Sequence, residues 1–328
     1  MKNLFSKSLI TCCLLAANYS NAARDDNWPI STPESKGLST AQLDQASDAM
    51  VKNASLRYCF TVIKDGELVY DQNYFSRVNR TYTAYSVTKT LTATLIGIAQ
   101  SQGYLSVNDK IGDWLDELPN GMNPDATIRS VMGQVAQSEP LGTDFKYNSG
   151  SVIDTLGLVL SEATGMASED YAQQQLLDRL DMRYTTWSAD NDGNIKVGLG
   201  VRSSCRDLAR VGQLLLNNGV WEGQPLLDAN YITEMTQPSH PEANSNYGYL
   251  TWLNQSDGEW HRPFKSGTNI MLEGAPTNVF FATGFLGQFI LVIPDENIVV
   301  TTMGTSLKLE SLNTLQEIWE EIAPALME

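Results

Sequence analysis

The chain has 328 residues, of which 42% are hydrophobic, and it carries a formal net charge of −16. A chain of this length can bury a substantial core, and its acidity argues against binding to nucleic acid or to anionic lipid. It holds only two histidines and four cysteines. Because no zinc-ligand spacing occurs among them, we expect no metal, and no organic cofactor is needed for the chemistry developed below.

The N-terminal residues 1–22 have the pattern of a signal peptide. Lys2 and Lys7 precede a short apolar run, Leu9–Ala17, and Ser20–Ala22 ends on a small residue. The run is too short for a stable membrane span, and no later segment resembles one. We therefore expect a periplasmic or secreted protein whose mature part is 23–328. Acylation of Cys12 is a weaker alternative.

The elements that follow are predicted from periodicity and turn signals. A helix is expected over Ser39–Asn53 and a β-hairpin over Arg57–Tyr74, turning at Asp65-Gly66. A mostly helical middle extends from Ser86 to about Met235. The C-terminal part predicts strands and a last helix, at Tyr247–Asn254, Asn278–Gly284, Gly287–Pro294, Asn297–Met303 and Ser311–Ala323.

Strands at both ends of the chain around a helical middle predict an α/β (α+β) fold. The economical packing is one antiparallel sheet built from both chain ends, with the terminal helices on one face. We place this sheet lobe at about 28–80 and 245–328, and an inserted helical lobe at about 81–244. The crevice between the lobes is the expected site, since pockets favour such junctions.

The strongest local signal is Ser86 followed by Lys89 at the head of an apolar helix. The simplest interpretation is a helix cap beside a surface lysine. The alternative is catalytic: residues i and i+3 share a helix face, so Lys89 can take the proton of the Ser86 hydroxyl and make it a nucleophile. Burial of an ammonium disfavours its charged form, which would make such a base available. The free backbone N–H of Ser86 at the helix start could stabilise an oxyanion.

The segment "YSVTKTLTATLIGIAQSQGYLSVNDKI" resembles the nucleophile region of the serine β-lactamase and penicillin-binding-protein superfamily, especially class C β-lactamases, D,D-peptidases and their esterase relatives. A second motif of that superfamily, Tyr-x-Asn or Tyr-x-Ser, is matched by Tyr147-Asn148-Ser149. The resemblance continues to "FFATGFLGQFILVIPDENIVV" and covers nearly the whole mature chain. It implies that Tyr147 shares proton transfer with Lys89 and that Ser149 contributes to substrate binding.

The third motif of the family, Lys-Thr-Gly on a strand lining the site, has two candidates. Lys265–Gly267 matches by letters but precedes the apolar strand, whereas Ala282–Gly284 lies in the strand and has alanine in place of the cation. We favour the second. The following "GFLGQ" resembles 6-aminohexanoate-oligomer hydrolases and family VIII esterases, which implies that the Phe285 N–H completes the oxyanion hole. Gly284 would then let the strand approach the substrate closely.

Other conspicuous side chains have simpler interpretations. We expect Trp252 and Tyr249 in the core or the pocket wall, Asp207 at a helix start, and His240 and His261 in loops. The absence of a G-x-S-x-G motif argues against an α/β-hydrolase.

Two cysteines, Cys59 and Cys205, lie in the mature chain. In an oxidising compartment they could pair. We expect two separate buried thiols.

The sequence thus predicts a serine hydrolase that cleaves an ester or linear amide of a small or peptide-like substrate through an acyl-enzyme on Ser86. The runner-up is a D,D-peptidase or class C-like β-lactamase. A third, less favoured hypothesis is a non-catalytic binding protein on the same fold.

Overall fold

The computed structural model describes residues 28–53, 55–75, 79–148, 150–255, 257–308 and 310–327. The predicted signal peptide and Ser149 lie outside these residues. In the described part of the chain the α-helices are α1 (Thr40–Asn53), α2 (Thr88–Ser101), α3 (Ile128–Met132), α4 (Ser151–Thr164), α5 (Ser168–Ala172), α6 (Cys205–Leu216), α7 (Ala229–Met235) and α8 (Ser311–Leu326). The strands are β1 (Leu56–Lys64), β2 (Glu67–Asn73), β3 (Tyr82–Thr83), β4 (Thr186–Trp187), β5 (Val201–Ser203), β6 (Val220–Trp221), β7 (Gln224–Pro225), β8 (Trp252–Leu253), β9 (Glu259–Arg262), β10 (Lys265–Thr268), β11 (Phe280–Gly284), β12 (Gln288–Ile293) and β13 (Ile298–Thr305).

The main sheet confirms the predicted architecture. Its six strands run in the order β2-β1-β13-β12-β11-β8, every neighbouring pair antiparallel, so the two ends of the chain meet between β1 and β13. The predicted hairpin is present, with Asp65 and Gly66 both at positive φ, as a two-residue turn between twisted strands requires. The boundaries of the two lobes stay a prediction.

The sheet separates two hydrophobic cores. On one face α1 and α8 pack against each other and against the sheet, through residues such as Met50 and Trp319. On the other face α6 packs across the central strands, and behind it lies the larger core containing α2 and α4. Helix α2 is therefore buried on all sides, which explains its nearly continuous apolar sequence.

Two sequence expectations are corrected by the fold. The expected strand Tyr247–Asn254 is reduced to the two residues of β8, because Tyr247 turns back to form an isolated bridge with Trp252. The helical middle also contains a small three-stranded sheet, β3-β5-β4, which supports the start of α2.

The expectation of two separate thiols is wrong, because Cys59 and Cys205 form a disulfide. Cys59 is on the central strand β1, and Cys205 is the first residue of the helix packed across that strand. Their Cα atoms are 6.3 Å apart across a sequence separation of 146 residues. Tertiary packing brings the two cysteines together, and their separation in the sequence gave no indication of it.

None of the helices in the described ranges combines the length and the hydropathy that a membrane span requires.

Candidate active site

The short 3₁₀ turn Tyr85–Val87, which leads directly into α2, holds Ser86 at the edge of a pocket. Tyr85 has φ 49°, a left-handed conformation that is uncommon for an aromatic residue and is found where the surrounding structure enforces it. Hydrogen bonds to Val201 of strand β5 supply that support. The Ala84 N–H donates to the Val201 carbonyl at 2.9 Å, and the Val201 N–H donates to Thr88 Oγ1 at 3.1 Å.

Lys89 reaches Ser86 from within the buried helix. Its side chain is only 1% exposed, and Nζ donates to Ser86 Oγ at 3.2 Å and to the Gly198 carbonyl at 3.2 Å. The structure therefore excludes the simpler interpretation of a surface lysine beside a cap. The apolar helix thus buries a lysine side chain whose Nζ contacts the serine hydroxyl.

Asp154, which the sequence reasoning missed, supports this arrangement from α4. Its Oδ1 accepts from the Val197 N–H at 3.1 Å, one residue before the carbonyl that receives Lys89. Partial burial raises the pKa of Asp154, and the positive charge of nearby Lys89 opposes that rise. Asp154 is thus a positioning residue for the segment that contacts Lys89.

Tyr147 completes the predicted group of three. Its ring is stacked on Trp252, with centroids 5.8 Å apart, and Lys89 Nζ lies 4.7 Å from the Tyr147 ring centroid. Ser86, Lys89 and Tyr147, which are separated by up to 61 positions in the chain, are therefore brought together. Tyr247 packs beside Tyr147, and burial raises the pKa of Tyr247 far above its ordinary value.

The end of β11 comes into van der Waals contact with the nucleophile turn at Gly284. A Cβ atom added to Gly284 would lie 2.3 Å from the Ala84 carbonyl oxygen, so only glycine allows this approach. The close contact is with the backbone of the turn, whereas the sequence predicted one with the substrate. Phe285 follows directly and lines the pocket, and its ring packs edge-on against the Tyr85 ring with centroids 5.7 Å apart.

Of the two candidates for the third motif, only Ala282–Gly284 contributes to this pocket. Thr283 and Gly284 line it. Lys265 is exposed on the separate β9–β10 hairpin, where its Nζ donates to Asn313 Oδ1 at 3.2 Å.

The pocket has a volume of about 420 Å³. Its rim includes Leu199, Phe264 and Phe285, which are 45%, 65% and 50% exposed. A larger groove of about 730 Å³ lies near α6 and α7, but it is lined by no ionisable side chain. The smaller pocket is the candidate site because it contains the serine, and its rim favours an apolar substrate group.

A buried cation that the sequence reasoning missed lines the same pocket. Arg262 stacks on Trp252, with Cζ 4.1 Å from the ring centroid, and its Nη2 donates to Thr283 Oγ1 at 3.1 Å. Its Nε donates to Glu310 Oε1 at 2.9 Å. No local pattern marks Arg262, because its partners come from β11 and from the residue that caps α8.

The other side chains singled out in the sequence are located as follows. Trp252 and Tyr249 are buried, and Asp207 lies in the first turn of α6. His240 is outside the helices and strands as expected, whereas His261 lies on strand β9, where the sequence predicted a loop. Among the described residues, no cluster of three or more His, Cys, Asp or Glu side chains could hold a metal ion.

The comparisons with known proteins identify the family and the fold of the chain. A family model described as Beta-lactamase matches residues 52–320. No curated protein gives a significant sequence match.

Among solved structures, a Bacillus anthracis protein assigned as a 6-aminohexanoate-dimer hydrolase has a TM-score of 0.70 at 16% identity, covering 91% of this chain and 87% of its own. A β-lactamase from Mycobacterium bovis has a TM-score of 0.67 at 18% identity, covering 86% of this chain and 100% of its own. A family VIII carboxylesterase has a TM-score of 0.65 at 14% identity, covering 89% of this chain and 98% of its own. These similarities show a shared fold.

Proposed function

The chain belongs to the beta-lactamase family of serine hydrolases, and we propose that it cleaves an ester or linear amide bond through an acyl-enzyme formed on Ser86. The observation that carries the proposal is the contact of 3.2 Å between Lys89 Nζ and Ser86 Oγ at the pocket. A serine hydroxyl becomes an effective nucleophile when an adjacent base removes its proton.

In the first step Ser86 Oγ attacks the carbonyl carbon while its proton passes to Lys89 Nζ. The carbonyl oxygen becomes an oxyanion, which the backbone N–H groups of Ser86 and Phe285 stabilise. The bond to the leaving group then breaks, and that group receives a proton from the Lys89 and Tyr147 pair. Water attacks the acyl-enzyme in the same way, which releases the acid and restores Ser86.

The pocket favours an uncharged substrate. Ala282 occupies the strand position where class C β-lactamases have a lysine, and the charge of Arg262 is already paired with Glu310. The apolar rim suits an acyl chain, and an uncharged ester needs no cation. The names of the structural relatives, a 6-aminohexanoate-dimer hydrolase and a carboxylesterase, are in keeping with this preference.

We also propose that the protein works in the periplasm or outside the cell. The signal-like pattern of 1–22 supports this location, and so does the disulfide between Cys59 and Cys205, because disulfides persist in oxidising compartments.

The test compares kcat/KM for p-nitrophenyl butyrate, a linear amide and nitrocefin on one preparation of the protein. We expect the ester or the amide to exceed nitrocefin, and Lys265→Ala to change nothing. A nitrocefin value equal to or above the others would favour the β-lactamase hypothesis. A nitrocefin rate that collapses in Lys265→Ala would establish Lys265–Gly267 as the third motif. A protein that a fluorophosphonate does not label would be a binding protein.

A further inference from the structure

The nucleophile turn and the end of β11 meet in two successive pairs of residues. In the first pair the Ala84 carbonyl oxygen leaves no room for a Cβ atom at Gly284. In the second pair the rings of Tyr85 and Phe285 touch, with centroids 5.7 Å apart and planes at 83°. This is the edge-to-face arrangement that aromatic pairs prefer. Ser86 follows the second pair directly.

The two pairs affect the spacing of the two segments differently. The contact between Ala84 and Gly284 is a steric limit, which stops the strand from coming nearer but does not draw it in. Within the described part of the chain, no backbone hydrogen bond joins residues 84–87 to Gly284 or Phe285. The attraction between the segments therefore comes from packing, and the ring contact of Tyr85 with Phe285 is the part of that packing that lies at the pocket.

The backbone conformation of Tyr85 gives a second, independent indication. Its φ of 49° lies in the left-handed region, which glycine adopts freely and an aromatic residue rarely adopts. Such an outlier beside an active-site serine points to a functional constraint on the side chain. What the Tyr85 ring provides, and glycine would lack, is the contact with Phe285 at the wall of the pocket that contains Ser86.

We propose that Tyr85 is a positioning residue, whose ring holds the segment that carries Phe285 against the nucleophile turn. In this way it sets the distance between the Phe285 N–H and Ser86. The inference rests on the proposed function, in which these two groups act on the same substrate carbonyl. The ring alone carries the role, and the Tyr85 hydroxyl is not needed for it.

The test measures kcat and KM for p-nitrophenyl acetate and p-nitrophenyl hexanoate in the wild type and in three variants. Tyr85→Phe retains the ring and should retain wild-type kcat. Tyr85→Gly removes the ring and accepts the positive φ, so it should fold, and its kcat should decrease by about tenfold. Phe285→Ala removes the other ring, retains the backbone N–H, and should lower kcat by a similar factor.

Two comparisons separate positioning from direct contact with the substrate. The factor by which kcat falls should be the same for acetate and hexanoate, with KM unchanged, because the rings act on the protein segments and not on the acyl chain. The double variant Tyr85→Gly/Phe285→Ala should be no worse than the worse single variant, because both substitutions remove one shared contact.

Glu222→Gly is the matched control for the introduction of glycine at a positive φ. Glu222 is exposed in the turn between β6 and β7, outside the pocket, and its φ of 48° is close to that of Tyr85. This variant should retain wild-type kcat for both esters.

Wild-type kcat in folded Tyr85→Gly or in Phe285→Ala would overturn the inference and leave the proposed function intact. The same conclusion would follow from a reduced kcat in Tyr85→Phe, or from additive losses in the double variant. A loss that appears in KM and grows from acetate to hexanoate would assign the ring to substrate binding and would also overturn the inference. A wild-type protein that turns over no ester and is not labelled by a fluorophosphonate would overturn the proposed function, and the inference with it.

Discussion

Gly284→Ala tests whether the end of β11 must approach the nucleophile turn as closely as it does. The added Cβ would lie 2.3 Å from the Ala84 carbonyl oxygen and 3.0 Å from Gln288 Cβ, whereas ordinary contact begins at 3.4 Å. The Ala84 contact is with backbone, so the strand and the turn must separate by about 1 Å. The φ angle of Gly284 is not positive, so alanine adds no conformational strain of its own.

The expected consequence is a loss of catalysis without a loss of folding. The Phe285 N–H, which directly follows the displaced residue, would move relative to Ser86 by about the same 1 Å. Displacements of this size in an active site can lower the rate by about 10²-fold. We therefore expect kcat for p-nitrophenyl butyrate to fall by about 10²-fold while circular dichroism remains that of the wild type.

Gly112→Ala is the matched control, because a Cβ at Gly112 would meet no atom within 4 Å and its φ is not positive. This variant should keep wild-type kcat. A folded Gly284→Ala protein with wild-type kcat would refute the reasoning, since it would show that the oxyanion geometry does not depend on this contact.

Three further predictions concern proton transfer, pH and the disulfide. Lys89→Met and Tyr147→Phe should each lower kcat by about 10²–10⁴-fold, and the double variant should be little worse than the worse single one, because the two side chains act as a unit. Burial raises the pKa of Asp207 to about 6 from its ordinary value of 3.8, so the contribution of Asp207 alone to stability should fall by up to about 3 kcal/mol as the pH rises from 4 to 6. Asp207→Asn should remove that dependence. Replacing Cys59 and Cys205 by alanine should lower the free energy of unfolding by about 2–5 kcal/mol and leave kcat unchanged.

The outcomes that contradict these three predictions are distinct. A kcat of Tyr147→Phe close to that of the wild type would show that the Tyr147 side chain has only a packing role. The free energy of unfolding is measured by urea denaturation between pH 4 and 6 in the wild type and in Asp207→Asn. Equal slopes of this free energy against pH in the two proteins would contradict the pKa argument. Loss of kcat in a folded protein without Cys59 and Cys205 would show that the disulfide positions the site.

Local sequence signals were sufficient to place the nucleophile side of the pocket. Ser86 and Lys89 are three residues apart, so a single helical turn determines their proximity. The strands β11, β12 and β13 were also predictable, because each is a short apolar run between turn residues. Gly284 could be anticipated as a site of close approach, although its contact with the Ala84 carbonyl depends on tertiary packing.

The charged wall of the pocket could not be predicted, because it is assembled from distant segments. Arg262 lies in a polar hairpin whose sequence is typical of an exposed surface. Its burial depends on Glu310 and Thr283, which come from elsewhere in the chain. The disulfide could not be predicted for the same reason, since Cys59 and Cys205 approach each other only when α6 packs across β1. The strand expected at Tyr247–Asn254 fails for a related reason: alternating aromatics there form a turn that packs Tyr247 against Tyr147 and Trp252.

The central claim is that Ser86 is the nucleophile of an acyl-enzyme. Its most direct test is mass spectrometry of the protein after treatment with a fluorophosphonate, followed by peptide mapping. We predict one adduct, on the peptide that contains Ser86, and no adduct in Ser86→Ala. An adduct on another serine, or full esterase activity in Ser86→Ala, would contradict the claim.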